Sequence, residues 1–132
     1  MPHHFEFDSD NQIARCRFEG RVTDEELKKS CEEIEEYNAL TDPLACITDL
    51  SAVTSFEVSP RTILELAMSA PHSPESSRLR VIIATAPQIF GMARMFEIKG
   101  EYTRPNVHVV RSQEEASAIL AISQPRFPLH KQ

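Results

Sequence analysis

At 132 residues with a net charge of −6, the chain has the size of one domain and the wrong sign for nucleic-acid phosphates or anionic membrane surfaces. Its 41% hydrophobic content supports a single core, built without tryptophan from aliphatic side chains and phenylalanine. No positive segment followed by an apolar run opens the chain, and no apolar stretch nears the ~18 residues of a membrane span, so a cytoplasmic protein is expected.

Residues 3–7 and 13–19 flank the turn-rich Asp8-Ser9-Asp10-Asn11 and read as a hairpin. In its second strand Ala14, Cys16 and Phe18 share one face and Ile13, Arg15 and Arg17 the other, with Gly20 as the expected end. The first helix opens on a capping box, Thr23 with Glu26, and a staple of Val22 with Leu27. Leu27, Cys31 and Ile34 recur at helical spacing, with Tyr37 nearby. The outer face is acidic, either plainly solvated or a dock for a basic partner.

Residues 44–50 form a short apolar run ending in Asp49 and Leu50, as in a buried parallel strand. The second helix starts at Ser59, with Pro60 at its first position and Ile63, Leu66, Ala67 and Ala70 inward; Ala70-Pro71-His72-Ser73-Pro74 stops it. Residues 79–85 hold Val81-Ile82-Ile83-Ala84 without alternation and predict the two-sided middle of the sheet. Pro87 opens a third helix running to Lys99 and Gly100, and residues 107–111 make the last strand. Ser112 and Glu115 form a second capping box, with Ala116, Ile119 and Leu120 inward. Residues 1–123 are one domain in this reading, and 124–132, with Phe127 and Leu129, a loose tail. The fold class is α/β: a mainly parallel five-stranded sheet with an N-terminal hairpin and four helices on both faces.

Asp49-Leu50-Ser51 followed by Val53 resembles the strand end of the STAS domain, the SpoIIAA-like superfamily of anti-sigma-factor antagonists. Gly20-Arg21-Val22-Thr23-Asp24-Glu25-Glu26-Leu27 and Gly91-Met92-Ala93-Arg94-Met95-Phe96-Glu97 are similar to segments of a divergent branch of small bacterial STAS-like proteins. The resemblance covers about residues 3–122. It implies a four-turn β-α superhelix and a non-enzymatic interaction module. In the antagonists a phosphorylated serine opens the helix after this strand, and Ser59 falls there. Glu57 and Val58 replace the two residues before it, and Pro60 removes an N–H donor. Ser59 is also explained as a plain N-cap.

The three glycines build no phosphate loop, and no Ser, Cys or His stands in a nucleophile–base setting, so no enzyme is expected. Cys16, Cys31 and Cys46 cannot all pair and read as buried thiols. His3 and His4 point to opposite faces of their strand, while His72, His108 and His130 are scattered, so neither metal nor cofactor is expected. At the carboxyl rim of the strands, Asp49, Ser51 and Thr85 are ligand candidates, with Asp49 alternatively capping a turn. The third helix carries an apolar stripe of Ile89, Met92, Ala93 and Phe96, and Phe90, Met95 and Ile98 lie outside it. That surplus, rimmed by Arg94 and Glu97, marks Phe90, Met92, Arg94, Met95, Glu97 and Ile98 as an interaction surface for a protein partner or a second copy. The alternatives are a wide core face, or a pocket beside this helix in which a small apolar, lipid-like ligand is carried or sensed.

Overall fold

The computed structural model describes residues 3–69 and 78–120. The Pro-rich stop after the second helix, with Ala70 and His72, and the 124–132 tail lie outside the described residues. The elements run β1 (His3–Asp8), β2 (Ile13–Thr23), α1 (Asp24–Thr41), β3 (Ala45–Glu57), α2 (Pro60–Met68), β4 (Leu79–Ile83), α3 (Pro87–Lys99), β5 (Val107–Val110) and α4 (Gln113–Leu120). The sheet is mixed. Its order is β1-β2-β3-β4-β5, with β1 antiparallel to β2 and every other pair parallel.

The β1–β2 turn closes on Asp8. Its Oδ1 accepts the amides of Asp10 and Asn11, both at 3.1 Å, and its Oδ2 accepts the Asn11 side-chain amide at 2.8 Å. The strand order places the helices. Successive parallel strands step across the sheet in one direction, and right-handed crossovers then leave every connecting helix on the same face. α1, α2 and α3 accordingly share one core with Cys16, Phe18 and Leu50. α4 precedes no described strand and covers the other face, where Ala116 packs among Ile13, Ala45, Ile47, Val81, Ile83 and Val110. Both faces carry helices, three against one.

Two strands differ from the sequence expectation. β3, not β4, is the centre of the sheet, and β3 does not end at Leu50. Only Ala45 to Asp49 pairs with β4; the remainder, to Glu57, continues beside β2. β2 follows because Gly20 does not terminate it: at φ +70° it sits among register shifts between Arg17 and Glu19 and between Gly20 and Arg21. A residue free of Cβ absorbs such an irregularity and the ladder resumes beyond it. Arg21 on this extension forms a two-pronged pair with Glu57, at 2.8 and 2.9 Å.

Helix starts follow the sequence closely. The reciprocal Thr23–Glu26 capping box forms. Ser59 accepts the Thr62 amide at 3.2 Å, with Pro60 at the start of α2. At α4 Ser112 accepts the Glu115 amide, but the Glu115 carboxylate accepts from Arg111 rather than from the cap residue. Ile119 is partly exposed there instead of inward, while Leu120 packs against the core. Gly100 is required by proximity: a Cβ would lie 2.9 Å from the Phe96 carbonyl and 3.3 Å from that of Ala67, where the ends of α2 and α3 meet.

Candidate functional site

On the three-helix face the sheet presents columns read directly from its register. Phe5, Cys16, Thr48, Ile82 and Val109 run side by side across all five strands, and Phe7, Ala14, Cys46, Arg80 and Val107 form the next column. α2 and α3 close against each other at Gly100. α1 does not close down equally. Its fully buried residues are Ser30 and Asn38, while its apolar stripe of Leu27, Cys31 and Ile34 stays half-buried. What remains beneath the helices is a cavity of about 130 Å³. α1 lines it with that stripe, α2 with Ile63 and Leu66, and α3 with Ile89, Ala93 and Phe96; Thr48, Leu50 and Ile82 contribute from the sheet. This explains why Ile82, expected to be buried on both sides, is only half-buried.

The described lining is apolar except for Thr48, Cys31 and three charged residues, Glu35, Arg80 and Arg104. Arg80 stands in the second residue of β4, beside Val107, and Arg104 comes just before β5. The cationic end therefore lies toward the amino ends of the parallel strands, opposite the rim where open α/β sheets usually take ligands. Arg104 Nη1 donates to the carbonyls of Leu66 at 3.1 Å and Ser69 at 2.7 Å, and its guanidinium lies 5.5 Å from the Phe96 ring centre. Burial, and then the neighbouring Arg80 charge, hold the Arg104 guanidinium below its usual range, with Glu35 acting against them. Arg80 Nε is buried without a hydrogen-bond partner. Burial pushes the Cys31 thiol up to about 11, so it stays neutral and unreactive near neutral pH.

The residues singled out from the sequence are scattered. Asp49 is buried, on the α4 side, with its Oδ1 accepting the Ser51 amide at 2.9 Å and the Ser51 hydroxyl at 2.6 Å. It lies within β3, not at a strand end; Thr85 is exposed beyond β4. Ser59 caps α2, and its own amide donates to Asp24 Oδ1 at 2.8 Å, tying together the starts of α1 and α2. That amide is the main cause holding the Asp24 carboxyl below its ordinary range. A phosphate on Ser59 would face this carboxylate. On α3, Phe90, Met92 and Met95 pack partly buried against the core, and the Arg111 guanidinium covers Phe90 at 4.0 Å from its ring centre. Arg94 pairs with Glu97. Ile98 alone of the surplus apolar residues is largely exposed, at 52%.

One group escaped the sequence reading altogether. His3 Nδ1 lies 3.0 Å from Ser30 Oγ, and His3 Nε2 lies 2.6 Å from Glu33 Oε1. The trio mimics a nucleophile with its base, but Ser30 is 1% exposed and its hydroxyl donates to the Glu26 carbonyl at 2.7 Å. With its proton committed and no access, Ser30 is a strut between α1 and β1. Among the described residues, no cluster of three or more His, Cys, Asp or Glu side chains is arranged to hold a metal, and no helix is long and apolar enough to cross a membrane. Compared with protein-family models and with curated proteins, the chain matches none.

Proposed function

We propose that this chain is a non-enzymatic carrier or sensor of a small, largely apolar molecule that occupies the cavity under α1, α2 and α3. The cavity itself carries this reading. At about 130 Å³ it is close to the engineered apolar cavity of about 150 Å³ that takes up benzene. Its half-buried walls leave apolar surface for an occupant to cover. The test is a titration of the isotope-labelled full chain with hexan-1-ol, followed by methyl NMR. Shifts are expected at Leu27, Ile34, Ile63, Ile82 and Ile89, and not at Ile47 or Val81 on the α4 face. Uniform or absent shifts at millimolar hexanol reject the reading.

A second reading follows from exposed apolar groups near the joined ends of α2 and α3. Met68, Ile98 and Tyr102 are 69%, 52% and 92% exposed, and they flank in sequence the contact of Ala67 with Gly100. These residues favour a STAS-type module that self-associates there. Sedimentation should then show a mass rising with concentration that the Met68→Ser, Ile98→Ser double variant abolishes. A constant monomer mass rejects it.

A further inference from the structure

We infer that the ligand is a small monoanion: a carboxylate on an apolar body of about six carbons, its tail in the cavity and its head between Arg80 and Arg104. The inference rests on the ligand-binding reading above and adds the charge. The cavity's size sets the body, by comparison with the benzene-sized cavity already cited.

The electrostatics set the head. Among the described lining residues there are two guanidiniums and one carboxylate, Glu35, a local excess of one positive charge. The two cations disfavour each other: the Arg80 charge is a cause of the lowered Arg104 value, second only to burial. An anion between them relieves that repulsion, and each N–H···O bond it accepts is charge-assisted. A phosphate monoester, near two negative charges at neutral pH, overshoots the excess; a carboxylate matches it.

The geometry leaves donors for such a head. Arg104 engages one nitrogen, Nη1, with the end of α2, an anchor that fixes the plane of the guanidinium over Phe96 without using its other donors. Arg80 rises from the strand floor with its Nε unpartnered. A second hollow of about 20 Å³, bordered by Arg80 and Asn38, has room for one water. It is too small for a ligand, so the anion belongs to the larger cavity. Two arginines on different elements, β4 and the loop before β5, make a clamp of fixed spacing. Arg80 is half-buried in an otherwise apolar strand, and a charge so placed is rarely kept without a partner.

The experiment is calorimetry on the full chain with three probes of one length: hexanoate, hexan-1-ol and hexylammonium. Hexanoate should bind about tenfold or more tighter than hexan-1-ol, and hexylammonium weakest. Arg80→Met should bring hexanoate to the level of hexan-1-ol while leaving hexan-1-ol within about twofold. If Arg80→Met does not fold, Arg104→Gln takes its place with the same expectation. Equal affinities for hexanoate and hexan-1-ol overturn the charge assignment and leave the apolar-ligand reading standing. A tighter alcohol or ammonium probe does the same. If none of the three binds, both fall.

Discussion

The two faces of the sheet are built from the same strands and pack to different ends. On the α4 face, Ile13, Ala45, Ile47, Val81, Ile83 and Val110 are each at most 8% exposed and one short helix suffices to seal them. On the other face three helices, including the longest, cover a larger core that is sealed less completely: Leu27, Ile34, Ile82 and Phe96 remain only partly covered around a cavity. More helix gives looser packing here because α1 is held by its ends and by polar struts rather than by its apolar stripe. Its capping box, the Asp24 link to Ser59 and the Ser30–His3–Glu33 chain all fix it at polar contacts. A tight face supplies cooperative stability, and a propped face supplies room.

The largest effect expected is on the tight face. Ile83→Asp puts an unpaired carboxylate where the native side chain is 2% exposed, and loss of the cooperative thermal transition is expected. A soluble variant that melts sharply would show that this face has slack after all. The next effect belongs to the propped side, which carries Cys16, Cys31 and Cys46. Burial, with the Cys31 and Glu33 charges, pushes the Cys16 thiol up from 9.0 to about 12. A raised folded value stabilises fully below the ordinary thiol range. That stability is lost as pH climbs from 9 towards 12, on the order of 4 kcal/mol at most. Denaturant titrations across that range should show the loss in the native chain and a smaller one in Cys16→Ala.

A single kind of substitution compares the faces directly. Ala116→Leu, at a fully buried site under α4, overpacks the tight face and should destabilise by about 1–3 kcal/mol. Ala93→Leu projects into the cavity wall and should be neutral or stabilise by about 1 kcal/mol, while abolishing hexan-1-ol uptake. Equal destabilisation at both sites would mean the cavity is not available space.

Much of this architecture was legible in the sequence. Helix starts were, because capping is local chemistry: Thr23 with Glu26 and Ser59 with Pro60 each declare themselves within a few residues. The length of β3 was not, because Gly20 and the Asp-Leu-Ser segment look like punctuation and only the pairing of two distant segments reveals a bulged continuation. The cavity was legible in part. The apolar surplus on α3 drew attention to the helix that forms one wall, but Phe90 and Met95 find cover from Arg111 and the core, and the space itself lies beneath the half-buried stripe of α1. Arg80 gave the clearest missed signal: a charge at an inward position of the strand taken to be buried on both sides. Its partnership with Arg104 joins residues far apart in the chain and has no local pattern.

The smallest effect tests the supports of the propped face at Ser59. Ser59→Ala removes the bond to the Thr62 amide but keeps the backbone amide that reaches Asp24, so a loss of about 1 kcal/mol is expected, the worth of one cap. Ser59→Asn and Ser59→Asp both restore a capping oxygen and separate two roles for the site. The helix dipole favours the aspartate; the Asp24 carboxylate, accepting from the Ser59 amide at 2.8 Å, opposes it. With a like charge that close, Ser59→Asp should be a few tenths of a kcal/mol less stable than Ser59→Asn at low salt, with the gap closing as salt is added. If Ser59→Asp is instead the more stable of the two, the end of α2 welcomes added negative charge despite Asp24, and a phosphoryl group on Ser59 becomes compatible with the fold.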